Sequence, residues 1–330
     1  MVKIFKALET AEQIDGTYTS KIVEKQIEDI PEGKVLVKVE YSSLNYKDAL
    51  SAKGNKGVTR KYPHTPGVDA AGTVEISSSS IWKKGDKVLV TGFDLGMNTD
   101  GGFGQYIIVS EEWVIKLPTT LSTKEAMIYG TAGFTAGLSI QALIRNGITP
   151  ENGIIAVSGS TGGVGSVAVA ILAKLGFQVA AISSKDEATP FLKALGASEI
   201  TSRQDFEDKS GKILLKPRFA AAIDTVGGNI LATLIKSLHY DGVVTTCGMV
   251  GGGELNTTVF PFILKGIQLI GIDSVEIPLE KRLSVWEHLS TDWKPQQLND
   301  LSKEISLEEL HEYIDRIFSG KMQGRAVVKI

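Results

Sequence analysis

Cysteine is nearly absent from this chain of 330 residues, which contains Cys247 and no other cysteine. One cysteine excludes an intrachain disulfide and any metal site that needs several thiolates. The four histidines show neither the spacing of a zinc-binding motif nor that of a catalytic triad. A large charge excess is also missing, because 35 Lys and Arg residues face 38 Asp and Glu residues, for a net charge of −3. The composition therefore gives no electrostatic reason to expect a nucleic acid or a membrane surface as partner.

Long uninterrupted apolar runs are missing as well. The N-terminal segment has no apolar core of the kind that a signal peptide needs. The most apolar window, residues 154–182, is interrupted by five glycines and by Lys174, whereas a membrane span needs about 20 nearly uninterrupted apolar residues. We therefore expect a cytoplasmic protein without a membrane span.

The first 120 residues are predicted to form short strands separated by turns, and the length of the chain favours two domains. Many short strands at this spacing are typical of a barrel-like all-β unit. The predicted strands of this part are 35–41, 72–76, 87–90 and 105–109.

The pattern changes near Pro118 to helices 122–130 and 135–146, and then to alternating strands and helices. This alternation predicts βαβ units in a parallel sheet that is buried on both faces. Amphipathic helices at 279–289 and 307–318 and a final strand at 325–330 follow. The alternating elements are strands 154–158, 178–182, 219–224 and 242–247 and helices 163–175, 187–195 and 229–238.

Residues 159–165 read Gly-Ser-Thr-Gly-Gly-Val-Gly, follow a predicted strand and begin a predicted helix. This is the context in which a G-x-G-x-x-G fingerprint binds a dinucleotide. Its glycine positions fall on Ser160, Gly162 and Gly165, so that the first position departs from the strict motif. A glycine-rich turn without a ligand is the alternative. The residues predicted to contact the diphosphate are Ser160, Thr161, Gly162, Gly163 and Val164.

The end of the next predicted strand indicates which dinucleotide is bound. NAD-binding proteins place an Asp or Glu about 20 residues after the loop, where it accepts a hydrogen bond from the ribose. Here the chain has Ser183, Ser184 and Lys185, and Arg203 is a second candidate cation. Hydroxyls and cations attract a 2′-phosphate, so we predict NADPH rather than NADH. A solvated lysine without a ligand is the alternative for Lys185.

The chain resembles the medium-chain dehydrogenase/reductase superfamily, in its zinc-free quinone oxidoreductase branch. Its later segments resemble the YhdH/YhfP group, which includes NADPH-dependent acryloyl-CoA reductases. The segments that carry the resemblance to the branch are 43–48, 66–72, 130–136 and 162–165, and those that narrow it to the group are 224–227, 246–248, 261–264, 271–275 and 323–325.

The resemblance implies an α/β protein with a GroES-like β-barrel catalytic domain and a Rossmann doubly wound parallel-sheet domain. The catalytic domain would comprise residues 1–121 and 298–330, and the NADPH-binding domain residues 122–297. A homodimer is also implied.

Zinc-dependent relatives have a cysteine at the position of Asn45 and a histidine at that of Val68, so the zinc site is not expected here. Without a Lewis acid the oxidation of a plain alcohol is disfavoured, which shifts the expected substrate to an activated C=C or a quinone.

The resemblance also assigns site residues. Asn45 and Tyr46 are the predicted catalytic residues: Asn45 would donate to the nicotinamide carboxamide or to the substrate carbonyl, and Tyr46 would donate a proton or form a wall. The alternative for Tyr46 is a side chain that only packs in the protein core or at an interface. The alternative for Arg325 is an ordinary surface charge. Asp48 is expected to have a structural role. The further cofactor residues are Thr131, Met249, Ser274 and Arg325.

The predicted activity is hydride transfer from NADPH to an acryloyl-CoA-like, 2-enoyl-CoA substrate. One alternative is an NADPH:quinone or alkenal oxidoreductase, and another is an NADPH-binding protein without catalysis. A basic stretch of Lys53, Lys56, Arg60 and Lys61 suits the phosphates of CoA, or is an ordinary solvated face.

Overall fold

The computed structural model describes residues 3–330, which fall into two compact units. The first unit contains residues 3–131, Val275–Leu279 and Asn299–Ile330, and the second contains Ala132–Ser274 and Glu280–Leu298. The strands are β1 Lys3–Glu12, β2 Tyr18–Ile27, β3 Lys34–Leu44, β4 Asp69–Ser77, β5 Lys87–Thr91, β6 Tyr106–Ser110, β7 Ile115–Lys116, β8 Ile155–Ser158, β9 Val179–Ser183, β10 Glu199–Ser202, β11 Phe219–Asp224, β12 Leu238–Thr246, β13 Gln268–Gly271, β14 Ser302–Ser306 and β15 Arg325–Lys329. The helices are α1 Tyr46–Ala52, α2 Thr123–Arg145, α3 Gly163–Lys174, α4 Thr189–Ala194, α5 Arg203–Phe206, α6 Gly228–Lys236, α7 Phe260–Lys265, α8 Leu279–Ser290 and α9 Leu310–Phe318.

The first unit is built on a sheet with the order β14-β15-β3-β4-β5-β7, and β6 also pairs with β3. Successive side chains of a strand point to opposite faces of the sheet, and β3 has buried side chains on both faces. Val35, Val37 and Val39 join one apolar cluster, whereas Leu36 packs with residues of the β1–β2 hairpin. Because β15 pairs antiparallel with β3, the C-terminal strand belongs to the same sheet as the N-terminal strands. The predicted β unit is confirmed.

The second unit is a six-stranded parallel sheet with the order β10-β9-β8-β11-β12-β13. Its central strands are apolar and buried along their length, as expected for a parallel sheet covered on both faces. The strand order reverses next to β8, which makes the end of β8 the point where such sheets bind ligands. The predicted Rossmann-like sheet is confirmed. The implied homodimer stays a prediction.

The structure has one helix, α2, where the sequence predicted two, at 122–130 and 135–146. Its backbone is non-helical at Gly130, where φ is 50° and ψ is −156°. By length and composition alone α2 could cross a membrane, but 83% of its apolar window is buried in the fold, as in a core helix. Along the sequence, the first segment of the first unit ends at Thr131, one residue after this break. The predicted domain boundaries at 121/122 and 297/298 stay a prediction.

Gly130 cannot be replaced without a collision. A Cβ atom there would lie 2.5 Å from Asp69 Oδ2 and closer still to Ser43 Oγ, whereas a Cβ at Gly33, which also has a positive φ of 72°, would meet nothing within 4 Å. We expect Gly130→Ala to lower the free energy of unfolding by about 1–3 kcal/mol more than Gly33→Ala. Urea unfolding of both variants measures the difference, and equal losses would contradict the crowding at Gly130.

Candidate functional site

The carboxyl ends of the six parallel strands lie along one edge of the sheet in the second unit. Eleven of the thirteen residues predicted to bind the cofactor belong to this unit and follow or end these strands. They are Ser160–Val164 after β8, Ser183–Lys185 at the end of β9, Arg203 after β10, Met249 after β12 and Ser274 after β13. The structure therefore brings them to one edge, and their contacts with a cofactor stay a prediction.

The turn after β8 is made at Gly159, one residue before the position that the fingerprint alignment gives to the first glycine. Gly159 has φ 59°, and a Cβ atom there would collide with Thr225 Oγ1. Ser160 is fully buried, and its N–H and Oγ both lie within hydrogen-bond distance of the Ile182 carbonyl, at 3.3 and 3.1 Å. The predicted alignment of Ser160 with the turn glycine is therefore wrong. Ser160 instead ties the loop to β9.

Two further glycines shape the start of α3. A Cβ atom at Gly165 would collide with the Gly159 carbonyl oxygen, so this glycine allows the helix to approach the loop. At Gly162 an added Cβ would meet only that same oxygen, at 3.3 Å, which leaves the outer side of the loop open. The first N–H groups of a helix have no intrahelical acceptor and carry a partial positive charge. The residues present therefore fit the diphosphate of a dinucleotide.

Asp224, at the end of β11, holds the neighbouring loops together, and sequence reasoning gave it no role. Its buried carboxylate accepts hydrogen bonds from Ser158 Oγ at 2.7 Å, from Thr246 Oγ1 at 3.0 Å and from the N–H of Gly227 at 2.9 Å. Burial raises the pKa of the Asp224 carboxyl, and these donors oppose that shift. The available signal was its position as the last residue of a six-residue apolar strand.

Cys247 lies beside this carboxylate, and its Sγ is 3.5 Å from the Asp224 carbonyl oxygen. Burial, and then the charge of Asp224, raises the pKa of the Cys247 thiol to about 12. Because the thiolate is the reactive form, Cys247 does not have the environment of a redox thiol.

The residues predicted to bind a 2′-phosphate lie on two adjacent strand ends, since Ser202 of β10 pairs with Ser183 of β9. Ser183 Oγ accepts a hydrogen bond from the Lys185 N–H at 3.0 Å, which fixes the turn that carries the lysine. Burial lowers the pKa of the half-buried Lys185, and Glu187 opposes the shift. Arg203 begins α5, directly after β10.

The two other predicted cofactor residues of the second unit, Met249 and Ser274, lie further along the same edge of the sheet, after β12 and β13. The side chain of Met249 is 72% exposed. The carbonyl oxygen of Ser274 accepts a hydrogen bond from Arg282 Nη2 at 3.2 Å.

In the first unit, the fully buried Asp69 is the centre of a hydrogen-bonded cluster that sequence reasoning did not identify. Its carboxylate accepts hydrogen bonds from Ser43 Oγ at 2.6 Å and from Asn45 Nδ2 at 2.7 Å. The N–H of Thr131 lies 2.9 Å from both carboxylate oxygens, and Thr131 Oγ1 donates to Oδ1 at 2.6 Å. Asp69 therefore joins the end of β3, the start of α1 and the break in α2. Its only sequence signal was its place in the segment 66–72.

Arg325 does not have the exposed side chain that a phosphate ligand requires. It is 2% exposed, and Nε and Nη1 donate to the carbonyl oxygens of Ile128 and Leu44 at 3.0 and 3.1 Å. Nη2 donates to Ser43 Oγ at 2.9 Å. The predicted contact of Arg325 with the cofactor and the alternative of a surface charge are therefore both corrected: Arg325 supports the cluster around Asp69 from β15.

The roles predicted for Thr131 and Asn45 also change, because their donor groups are engaged by Asp69. The hydroxyl of Thr131, which was predicted to be a cofactor residue, donates to Asp69 instead. The amide nitrogen of Asn45, expected to donate to a ligand, is held by Asp69 and lies 3.3 Å from Asp48 Oδ2. Tyr46 begins α1, is 40% exposed and stacks on Phe318 with ring centroids 6.3 Å apart. Its packing against Phe318 leaves part of the side chain open to solvent.

Asp48 is buried beneath α1, in agreement with a structural role. Oδ2 accepts a hydrogen bond from the N–H of Asn45 at 2.7 Å, and Oδ1 accepts one from the N–H of Val68 at 2.9 Å. Burial, and then repulsion by the Asp69 charge, raises the pKa of Asp48 to about 7.

Half of the predicted basic stretch is engaged within the protein. Lys53 Nζ pairs with Asp315 at 2.6 Å, and Lys56 Nζ pairs with Glu12 at 2.9 Å. Arg60 and Lys61 are exposed. Within residues 3–330, no group of three or more His, Cys, Asp or Glu side chains is arranged to hold a metal ion.

Comparison with known proteins agrees with both units. A family model described as an alcohol dehydrogenase GroES-like domain matches residues 31–119, and one described as a zinc-binding dehydrogenase matches residues 163–289. The chain is 45% identical over 331 residues to the putative quinone oxidoreductase YhfP of Bacillus subtilis, with full coverage of both chains. The chain belongs to the YhdH/YhfP group of the medium-chain dehydrogenase/reductase superfamily.

Other members of the group have related names and solved structures. The chain is 42% identical to the probable acrylyl-CoA reductase AcuI of Escherichia coli, covering 97% of this chain and 98% of the relative. The crystal structure of the YhdH oxidoreductase of Salmonella enterica in complex with NADP has a TM-score of 0.95 at 42% identity, covering 98% and 99%. The structure of B. subtilis YhfP with NAD bound has a TM-score of 0.96 at 44% identity, covering 99% and 100%.

The raised pKa of Asp48 predicts how the stability of this group member depends on pH. Between about pH 4 and pH 7 the unfolded chain releases the Asp48 proton and the folded chain keeps it, so stability falls as pH rises. In this range we expect the Asp48 carboxyl to lower the free energy of unfolding by about 1.4 kcal/mol for each pH unit. Asp48→Asn should remove that part of the slope, although the variant is less stable throughout because its amide meets two backbone donors.

Chemical denaturation between pH 4 and pH 7 measures both curves, with Asp29→Asn as an exposed control from the same unit. Parallel curves for the wild type and Asp48→Asn would contradict the assignment.

Proposed function

We propose that this chain is an NADPH-dependent oxidoreductase that reduces the activated C=C bond of an acryloyl-CoA-like, 2-enoyl-CoA substrate. The observation that supports it best is the edge of the parallel sheet, where an open helix N-terminus stands beside Ser183, Lys185 and Arg203. The relatives named as acrylyl-CoA reductases and the relative structure that contains NADP support the same function.

In this proposal the residues that follow β8 hold the diphosphate, and the ends of β9 and β10 hold the 2′-phosphate. When bound, NADPH supplies a hydride for the β-carbon of the substrate. Negative charge then develops on the thioester oxygen, and a proton is added at the α-carbon. The protein must offer a donor to that oxygen. The hydroxyl of Tyr46, a residue that is 40% exposed, is the proposed donor in the first unit.

The choice of NADPH depends on the charge of Lys185. Charge-assisted hydrogen bonds contribute roughly 1.5–3 kcal/mol, so we expect Lys185→Ala to raise the dissociation constant of NADPH at least about tenfold. The constant for NADH, which lacks the 2′-phosphate, should change much less. Fluorescence titration measures both, and Lys193→Ala, an exposed lysine of α4, is the control. An unchanged NADPH affinity, or an equal loss for NADH, would refute this assignment.

The substrate is tested by following the loss of NADPH absorbance with a panel of acceptors. Because the nucleotide and pantetheine of CoA supply binding energy far from the reacting carbons, we expect kcat/KM for acryloyl-CoA to exceed that for simple quinones by about 100-fold or more. Equal or reversed preference would favour the quinone oxidoreductase activity that the name of YhfP gives to that relative. Tight NADPH binding without consumption by any enoyl-CoA, enone or quinone would favour a protein without catalysis.

A further inference from the structure

The orientation of the Asn45 amide is fixed by its neighbours. The side chain is 8% exposed, and Nδ2 donates to Asp69 Oδ2 at 2.7 Å. Nδ2 also lies 3.3 Å from Asp48 Oδ2 and 3.4 Å from the Ser43 carbonyl oxygen, so its surroundings are all acceptors. Turning the amide over would place its oxygen against these oxygens. Asn45 therefore keeps its nitrogen toward the Asp69 carboxylate.

The hydrogen bonds around Asp69 are donated to its carboxylate by the neighbouring groups. Thr131 N–H and Oγ1 donate to it, and Ser43 Oγ does so as well. Arg325, a donor without acceptor atoms, donates to Ser43 Oγ at 2.9 Å, and the hydroxyl hydrogen of Ser43 is directed to Asp69 Oδ2 at 2.6 Å. Both oxygens of Asp69 thus act as acceptors, as in a carboxylate. The chain of contacts from Arg325 through Ser43 to Asp69 selects one orientation for Asn45.

In this orientation Asn45 Oδ1 faces the first turn of α1 in a capping-box arrangement with Asp48, but no donor among the described residues meets the distance and angle of a hydrogen bond to it. Buried polar atoms without partners are uncommon and unfavourable. An amide oxygen can accept but cannot donate a hydrogen bond. Asn45 is therefore unsuited to stabilise the negative charge on a thioester oxygen.

We infer that Asn45 Oδ1 accepts a hydrogen bond from an N–H group of a bound ligand and that Asp69 is the positioning residue that keeps it in this role. The inference rests on the proposed function. Two ligands offer such a group: the carboxamide of NADPH and the amides of the pantetheine arm of a CoA thioester. The donor to the developing negative charge is then a different group, in agreement with the role proposed for Tyr46.

The first arm of the test is a binding measurement that needs no turnover. The reduced 3-acetylpyridine analogue of NADPH carries a methyl ketone in place of the carboxamide and so lacks the N–H donor. If the carboxamide is the donor, the wild type binds NADPH about tenfold more tightly than the analogue, which corresponds to about 1.4 kcal/mol. Asn45→Ala should bind the two with dissociation constants within about twofold of each other.

The second arm compares two acryloyl thioesters in steady-state assays. The thioester of N-acetylcysteamine keeps an amide N–H, whereas the thioester of an alkane thiol of equal length lacks it. If the substrate supplies the donor, KM of the wild type favours the first compound and Asn45→Ala loses that preference, with kcat changing less than KM.

Asp69→Asn tests the positioning role, because it leaves Asn45 in place but removes the carboxylate that orients its amide. This variant should lose the same preference as Asn45→Ala, which a purely structural contribution to stability would not cause. Asn299→Ala, an exposed asparagine in the same unit, is the control, and circular dichroism verifies that each variant is folded.

A preference in either arm that Asn45→Ala and Asp69→Asn both lose supports the inference and identifies the ligand that donates. The inference is overturned if the wild type shows no preference in either arm, or if Asn45→Ala retains the preference. In that case NADPH binding and turnover by the wild type still support the proposed function. Failure of the wild type to bind NADPH at all would instead remove the proposed function, and the inference with it.

Discussion

The interaction on which the candidate site depends is a buried carboxylate that accepts several hydrogen bonds from distant parts of the chain. In the first unit Asp69 binds groups of β3, α1 and the break in α2. In the second unit Asp224 binds groups from the ends of β8 and β12 and from the loop after β11. A buried charge is stable only when donors surround it. Each carboxylate therefore fixes the loops around it, and the candidate ligand residues lie on or beside those loops.

The same clusters explain why residues that look like binding groups in the sequence serve the protein itself. Arg325 and the Thr131 hydroxyl are chemically suited to a phosphate or a carboxamide, but their hydrogen bonds are made inside the first unit. The groups left for a ligand are those to which the clusters give no partner. In the second unit these are the backbone N–H groups at the start of α3. In the first unit the buried Asn45 Oδ1 has no partner among the described residues, and Tyr46 is 40% exposed.

Much of the fold was predictable from local sequence, because β8, β9 and β11 are short apolar runs and Gly176 closely follows the end of α3. The β1–β2 hairpin was not predicted, since β2 mixes charged, polar and apolar residues without a regular alternation and buries only its last residue. The four-residue strands β10 and β13 were too short to give a pattern. The glycine loop was found, but its register depended on a backbone angle at Gly159. Asp69 and Asp224 were missed because their burial depends on contacts between residues far apart in the chain.

The proposed function depends above all on the turn after β8, which we propose binds the diphosphate of NADPH through the backbone of residues 160–164, with the 2′-phosphate at Lys185. The decisive experiment is a crystal structure of this protein grown with NADPH. We expect diphosphate oxygens within hydrogen-bond distance of N–H groups at the start of α3, and a 2′-phosphate in contact with the ammonium of Lys185. A structure in which the diphosphate lies elsewhere, or in which this turn contacts no ligand although NADPH is bound, would contradict it.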